Sequence, residues 1–221
     1  MAYFSKDLIK FLKELKKNNE RDWFNANKKC YLSSVKEPFE VFIGDLIEAM
    51  SPHFESLSIT PKEAIFRIYR DVRFSKNKSP YKVQVSALVN PGGRKAMTMP
   101  GIYLEISPDH FRVYSGMYML DSKQLKNLRF HITHNLEEFS ALISDKKFLE
   151  VFGEVRGEKN KIIQKEFKED GEIQPLLYNK QFYYFTEWPP EVILEDKLIE
   201  KVVAAFLVAQ PLSEFLYEGI H

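Results

Sequence analysis

Cysteine is almost missing from this chain: Cys30 is the only one in 221 residues. A lone thiol excludes an intramolecular disulfide and a cysteine-built zinc knuckle, and such sparing use fits a reducing compartment. Long apolar runs are missing too. The longest, Val202–Ala209, falls far short of the roughly 20 residues a spanning helix needs. The N-terminal stretch to Lys17 has no apolar block followed by a small-residue cleavage site, so no signal peptide is expected. These absences predict a soluble, cytoplasmic protein with no membrane partner. Nine glycines and eleven prolines are too few for collagen-like or low-complexity chains. A net charge of one sign is also lacking, because 32 Lys and Arg nearly cancel 31 Asp and Glu to leave +1. Any electrostatic partner must therefore be met by a local cluster. No G-x-S-x-G, Walker loop or dinucleotide glycine fingerprint occurs.

What is present is apolar and aromatic. Hydrophobic residues make up 44% and aromatics 14%, enough for a sizeable core. The first third reads as helix. Ser5 caps a segment with Leu8, Phe11, Leu12 and Leu15 at helical spacing; Asn19 and Asp22 start a second; Ser34 and Glu37 form a capping box before Phe39, Phe42, Ile43, Leu46 and Met50. The middle reads as strand over 64–70, 81–90, 101–107 and 111–118, with a fifth strand at 182–187. Alternation sends Lys82, Gln84, Ser86 and Leu88 to one face of their strand, and Tyr103, Glu105, Arg112 and Tyr114 outward from the next two. Capping boxes at Asp121–Gln124 and Asn135–Glu138 open short helices, 145–152 is a third, and 153–171 reads as a mobile loop or an exposed helix. A long helix is expected from Pro189-Pro190, with Pro211 opening a final turn or two. With no repeat and no linker, the expectation is one α+β domain over 1–221: an antiparallel sheet of about four to five strands flanked by N-terminal and C-terminal helices.

One segment stands apart. Between Arg67 and Lys82 lie six cations (Arg67, Arg70, Arg73, Lys76, Lys78 and Lys82) and one acid, Asp71, giving +5 and leaving −4 for the rest of the chain. Like charges repel, so such a focus needs a reason. Arginine offers a planar fork suited to phosphate or carboxylate, and lysine a point charge. Phe66, Ile68, Tyr69, Phe74 and Tyr81 interleave with the cations and pin the segment to the core. In extended chain Arg67 and Arg70 face opposite sides, so they meet one ligand only if the chain bends near Asp71. The candidate ligand-binding set is Arg67, Arg70, Asp71, Arg73, Lys78, Lys82 and Tyr103, with Arg94 and Lys95 joining from the Gly92-Gly93 turn and Arg21, Asn27 and Lys28 at the rim. A structural network of ion pairs is the competing reading.

The same residues carry a family resemblance. Asn18, Asn19, Arg21, Trp23, Phe24, Asn27, Lys28 and Tyr31, then Pro38-Phe39, then Arg67, Tyr69-Arg70-Asp71, Arg73-Phe74-Ser75, Lys78 and Pro80-Tyr81-Lys82 resemble a mainly bacterial family known as domain of unknown function family 2461. Gly101, Tyr103-Leu104, Ser115-Gly116, Tyr118, Pro211-Leu212 and Phe215-Leu216 extend the likeness over nearly the whole chain. The resemblance implies no reaction. Where the family carries Asp-His-Pro before Leu-Leu-x-x-Lys, this chain has Ile173-Gln174-Pro175 before Leu176-Leu177 and Lys180, with no histidine.

Other signals are weaker. His131 and His134 have a metal-ligand spacing on a helix, but no third ligand follows and both fall opposite Leu125, Leu128 and Ile132; no metal and no cofactor is expected. The leading expectation is a protein that binds a small phosphate- or carboxylate-bearing ligand. An enzyme acting on a phosphorylated substrate is the first alternative, with the arginines stabilising charge and Asp71 or Glu105 handling protons. A nucleic-acid binder stacking bases on Tyr103 and Tyr114 is the second, weakened by a pI near 7.7.

Overall fold

The computed structural model describes residues 2–221. Helices α1 (Lys6–Lys17), α2 (Arg21–Ala26), α3 (Lys28–Tyr31), α4 (Glu37–Met50) and α5 (Pro61–Ala64) precede strands β1 (Val85–Val89), β2 (Ile102–Ile106) and β3 (Phe111–Met117). Helices α6 (Ser122–His134), α7 (Leu136–Ser144), α8 (Lys146–Phe152) and α9 (Lys168–Ile173) follow, then β4 (Phe182–Trp188) and α10 (Leu198–Glu218). The strands form one antiparallel sheet in the order β1-β2-β3-β4, so the fold is α+β with helices toward both ends of the chain. The chain divides into two compact units. The first takes in the described residues up to Lys95, with Tyr103–Val113 and Glu187–Val203; the second takes Ala96–Ile102, Tyr114–Thr186 and Ala204–His221.

In the first unit, α1 forms as its pattern demands. The Ser5 hydroxyl accepts from the Asp7 amide at 3.2 Å, and Leu8, Leu12 and Leu15 are fully buried. Each such side chain contributes about 1.5–3 kcal/mol on leaving water. The second helix begins differently from expectation. Asn19 does not cap it; its amide instead brackets the Tyr81 backbone, donating to the carbonyl and accepting from the N–H, both at 3.0 Å. The expected capping box at Ser34 is also absent. The chain stays helical from Lys28 to Met50, through a wide turn at Leu32–Lys36 in which the Glu37 amide reaches back to the Leu32 carbonyl. This five-residue reach stands directly before Pro38, which has no N–H to give. A capping box does occur where none was expected, at Thr60 and Glu63, and it opens α5.

The strands are shorter than their sequence pattern suggests. Residues 64–70 form no strand, but touch the chain beyond at two isolated antiparallel bridges, Ile65 with Ala87 and Tyr69 with Tyr81. The expected strand 81–90 is reduced to Val85–Val89, and all five of its residues are buried, Ser86 and Leu88 included. Two helices, α4 and α5, pack against β1, and a strand covered in this way loses the alternation of a half-wet sheet. Ile102, Leu104, Ile106, Phe111 and Val113 are buried as expected. The outward set is only partly wet, since Glu105 is buried and contacts Gln84, Tyr103, His110 and Arg112.

In the second unit the box at Asp121 and Gln124 is complete. Asn135 behaves otherwise, donating to the His131 carbonyl at 2.9 Å and so closing α6 rather than opening α7. The stretch 153–171 is neither a loose loop nor one exposed helix. It is tied to the following chain by bridges from Arg156 to Tyr183 and from Lys159 to Asn179, and then enters α9. Pro189-Pro190 begins only a short 3-10 turn, and α10 starts at Leu198. Pro211 lies inside α10 instead of opening a new turn. There the Tyr184 hydroxyl donates to the Ala209 carbonyl at 2.9 Å and meets the Ser213 hydroxyl at 2.7 Å, with Ser115 next in line.

Candidate functional site

The basic segment is held in place by aromatic rings, all within the first unit. Phe24 stacks on Tyr81 at 4.1 Å and 16°, and contacts Tyr31 and Tyr69 at 5.1 and 6.2 Å. With the Asn19 bracket on Tyr81, this fixes residues 65–70 against 80–87, and the amides of Arg70 and Lys82 donate to the Pro80 and Ile68 carbonyls.

A cavity of about 570 Å³ opens beside this hairpin. Its cations are Lys28, Lys36, Lys62, Arg67, Lys82 and Arg94; its acid is Glu40; its apolar wall includes Leu32, Phe39, Ile65, Phe66, Ile68 and Val85, with Tyr31 and Tyr69. Three local devices aim these groups. The wide turn at 32–36 inserts a residue into the helical register, so Lys36 takes the cavity-facing place and Val35 is fully buried. The box at Thr60 holds the short α5 that carries Lys62. Gly93 has φ +59°, and a Cβ there would sit 2.8 Å from the Glu63 carbonyl, so only glycine lets the turn close and deliver Arg94. Arg94 donates to the carbonyls of Lys62 and Ile65, the latter at 2.8 Å.

The charges in this cavity are poorly offset from within. Glu40 is paired with Lys36 at 3.6 Å. Among the described residues no carboxylate lies within ion-pair distance of Lys28, Lys62, Arg67, Lys82 or Arg94. Lys82 lies 5.2 Å from the centroid of the Phe66 ring. Burial, and then the Arg67 charge, lower the Lys82 ammonium below the ordinary lysine value. Burial pushes the Tyr31 hydroxyl up to about 12, with Tyr69 and Glu40 adding to the shift.

The candidate residues divide into two groups. Arg67 and Lys82 line the cavity; Arg70, Asp71 and Lys82 line a neighbouring groove of about 610 Å³ with Asn77, Ser79 and Gln84. Arg67 and Arg70 thus open onto different spaces, as alternation along the chain requires. Arg70 donates to the Ser79 carbonyl at 3.1 Å. Arg73 and Lys78 line neither space. Arg73 forks onto Asp71 at 3.0 and 2.7 Å, which holds the Asp71 carboxyl below its usual range, with its backbone amide and then Arg67 adding to the effect. Lys78 donates to the Val72 carbonyl at 3.0 Å and closes its own loop. Tyr103 packs edge-on against Phe66 at 5.8 Å, and its hydroxyl meets Glu105 at 3.3 Å. Tyr114 packs on Phe185 at 4.9 Å.

Of the expected rim, Lys28 lines the cavity, Arg21 lines a smaller one of about 260 Å³ with Arg70, and Asn27 caps its own helix. No local pattern singles out Lys36 in the sequence, whereas Thr60-x-x-Glu63 is a readable signal for the turn that bears Lys62. His131 is not on a wet face: its ring lies 4.4 Å from Phe215, and its Nε2 is buried without a partner. His134 is exposed, its Nδ1 donating to the Phe130 carbonyl at 2.7 Å.

The chain matches the family described as Conserved hypothetical protein (DUF2461) over residues 7–215, and it belongs to that family. No curated protein and no solved structure matches it. No helix among the described residues is long and apolar enough to cross a membrane.

Proposed function

We propose that this member of the family binds a small phosphate- or carboxylate-bearing ligand in the 570 Å³ cavity, with Arg67, Lys82 and Arg94 as its charged donors. One observation carries the reading: six cations converge on a concave surface whose single carboxylate is already paired with Lys36. Clustered cations repel one another, and a dry cluster would need internal acids. A site open to water and able to accept an external anion meets both constraints, while the apolar wall favours a ligand with a non-polar body. Arg70, Asp71, Arg73 and Lys78 then shape the neighbouring loop, and Tyr103 supports the ring beneath Lys82. Nucleic acid is the weaker alternative, because Tyr103 and Tyr114, the stacking platforms it would use, pack against Phe66 and Phe185.

The test is calorimetric titration of the full chain with inorganic phosphate, a nucleoside monophosphate and a short oligonucleotide, repeated on Arg67→Ala. Charged hydrogen bonds to an anion contribute about 1.5–3 kcal/mol each, so Arg67→Ala should weaken phosphate binding by about 10–100-fold. Equal binding by both proteins, or none by the wild type, overturns the reading.

A further inference from the structure

Lys82 differs from the other cavity cations. It stands in the wall common to two spaces, lining both the 570 Å³ cavity and the 610 Å³ groove. The Phe66 ring lies beneath its ammonium, and Tyr103 holds that ring from the side. Its backbone is fixed, since the Lys82 amide donates to the Ile68 carbonyl at 2.7 Å and the preceding Tyr81 is bracketed by Asn19. The charge that acts on it is the like charge of Arg67. Lys36, by contrast, has Glu40. Loss of water and a neighbouring cation both shift a lysine toward its neutral amine, the form that is nucleophilic toward carbonyl carbon.

We propose that Lys82 is a carbonyl-reactive amine and that the ligand of this cavity is a small anion bearing an aldehyde or ketone, its carboxylate or phosphate held by Arg67 and Arg94. This rests on the anion-binding reading above. The Nζ lone pair forms a bond to the carbonyl carbon, and the carbonyl π pair moves to oxygen, which takes up a proton. The resulting carbinolamine loses that oxygen as water, whose two hydrogens come in sum from Nζ, and the C–O bond broken is replaced by a C=N bond to Lys82. Nothing is oxidised or reduced, and no further reactant is needed. Arg67 and Arg94 hold the anion while the bond forms, so the addition proceeds within one bound complex.

The experiment treats the full chain with pyruvate in one arm and glycolaldehyde phosphate in the other, each with sodium cyanoborohydride, and locates reduced adducts by peptide mass mapping. One equivalent of adduct at Lys82 is expected, about tenfold or more above any other lysine, as for a selectively activated amine. Excess inorganic phosphate should suppress it, and Lys82→Arg, which keeps the charge, should abolish it. The arm that labels Lys82 more strongly identifies the anionic group. Adducts spread over exposed lysines such as Lys13, or a Lys82 adduct indifferent to phosphate, overturn the proposal. A wild type that binds phosphate but gives no Lys82 adduct refutes this inference alone. A wild type that neither binds phosphate nor labels refutes the anion-binding reading with it.

Discussion

Arg129 in the second unit and Arg67 with Lys82 in the first are cations held close to apolar surroundings, and the chain treats them in opposite ways. Arg129 is 3% exposed and completely engaged: it donates to the Leu177 carbonyl at 2.8 Å, the Gln164 side chain at 2.8 Å and the Asn179 carbonyl at 3.3 Å. Burial lowers its pKa, and fixed carbonyl dipoles stand in for lost water. Arg67 and Lys82 have no such set; they face a cavity beside other cations. A cation all of whose nitrogens donate to its own chain, as those of Arg129 do, is part of the scaffold. A cation cluster left short of acceptors is arranged for something external.

The sharpest way to break this comparison is to remove each cation in turn. Arg129→Met strands two buried carbonyls and the Gln164 amide, and should cost about 3–5 kcal/mol of stability, read from urea unfolding. Arg67→Met removes repulsion from the neighbouring cations, leaves no buried acceptor without a donor and gives up only a weak attraction to Asp71, so it should change stability by less than about 0.5 kcal/mol or raise it. A large loss for Arg67→Met would mean that the cavity cations are scaffold after all. Phosphate sharpens the same contrast from the other side. It should raise the melting temperature of the wild type and of Arg129→Lys, and fail to do so for the Arg67→Ala, Lys82→Ala double variant.

Tyr31 tests how the cavity wall is built. Its hydroxyl is pushed up to about 12 despite the nearby lysines, so the wall at this point acts as an apolar surface. Its folded value lies above the ordinary tyrosine value near 10. The neutral phenol is thus favoured in the folded chain, and its contribution is fully present below pH 10 or so and lost as pH rises through about 12. Unfolding followed from pH 9 to 12 should show stability falling across that window, and Tyr31→Phe should flatten the fall. A phenolate of Tyr31 appearing in the folded protein near pH 10 would show that the cavity charges reach it.

Much of this arrangement was readable beforehand, and the unread part has physical causes. Local rules placed α1 through Ser5, the Asp121 box, and the burial of Ile102, Leu104, Phe111 and Val113, because each depends on neighbours in sequence. The +5 focus between Arg67 and Lys82 was visible as composition. Its division was not. Whether Arg73 serves a ligand or Asp71 depends on a loop conformation that no spacing encodes, and Lys36 reaches the cavity only because a wide turn before Pro38 shifts the helical register. Ser34, Asn19 and Asn135 misled for a shared reason: each can cap a helix, and each sits where a stronger bonding demand arises, from a missing N–H, a distant backbone or the helix just ended. Arg129 was hidden because its acceptors lie some 35 to 50 positions further along the chain.

The smallest expected effect marks the boundary of the cavity. Five lysines crowd the exposed side of α1, lining a cavity of about 740 Å³ with Glu14, Asp109 and Glu191. By charge count alone this surface rivals the proposed site. Three carboxylates face its five cations, however, and two of those cations are paired: Lys16 meets Asp109 at 2.7 Å and Lys17 meets Glu14 at 2.9 Å, with all four side chains well exposed. Exposed pairs of this kind contribute about 0.2–1 kcal/mol and weaken with salt. Lys16→Ala should therefore lower stability by no more than about 1 kcal/mol, less still in high salt, and leave phosphate affinity unchanged. If Lys16→Ala instead weakened phosphate binding as strongly as Arg67→Ala, pairing would not be what separates the two surfaces, and the anion would be drawn by the general basic field of the first unit.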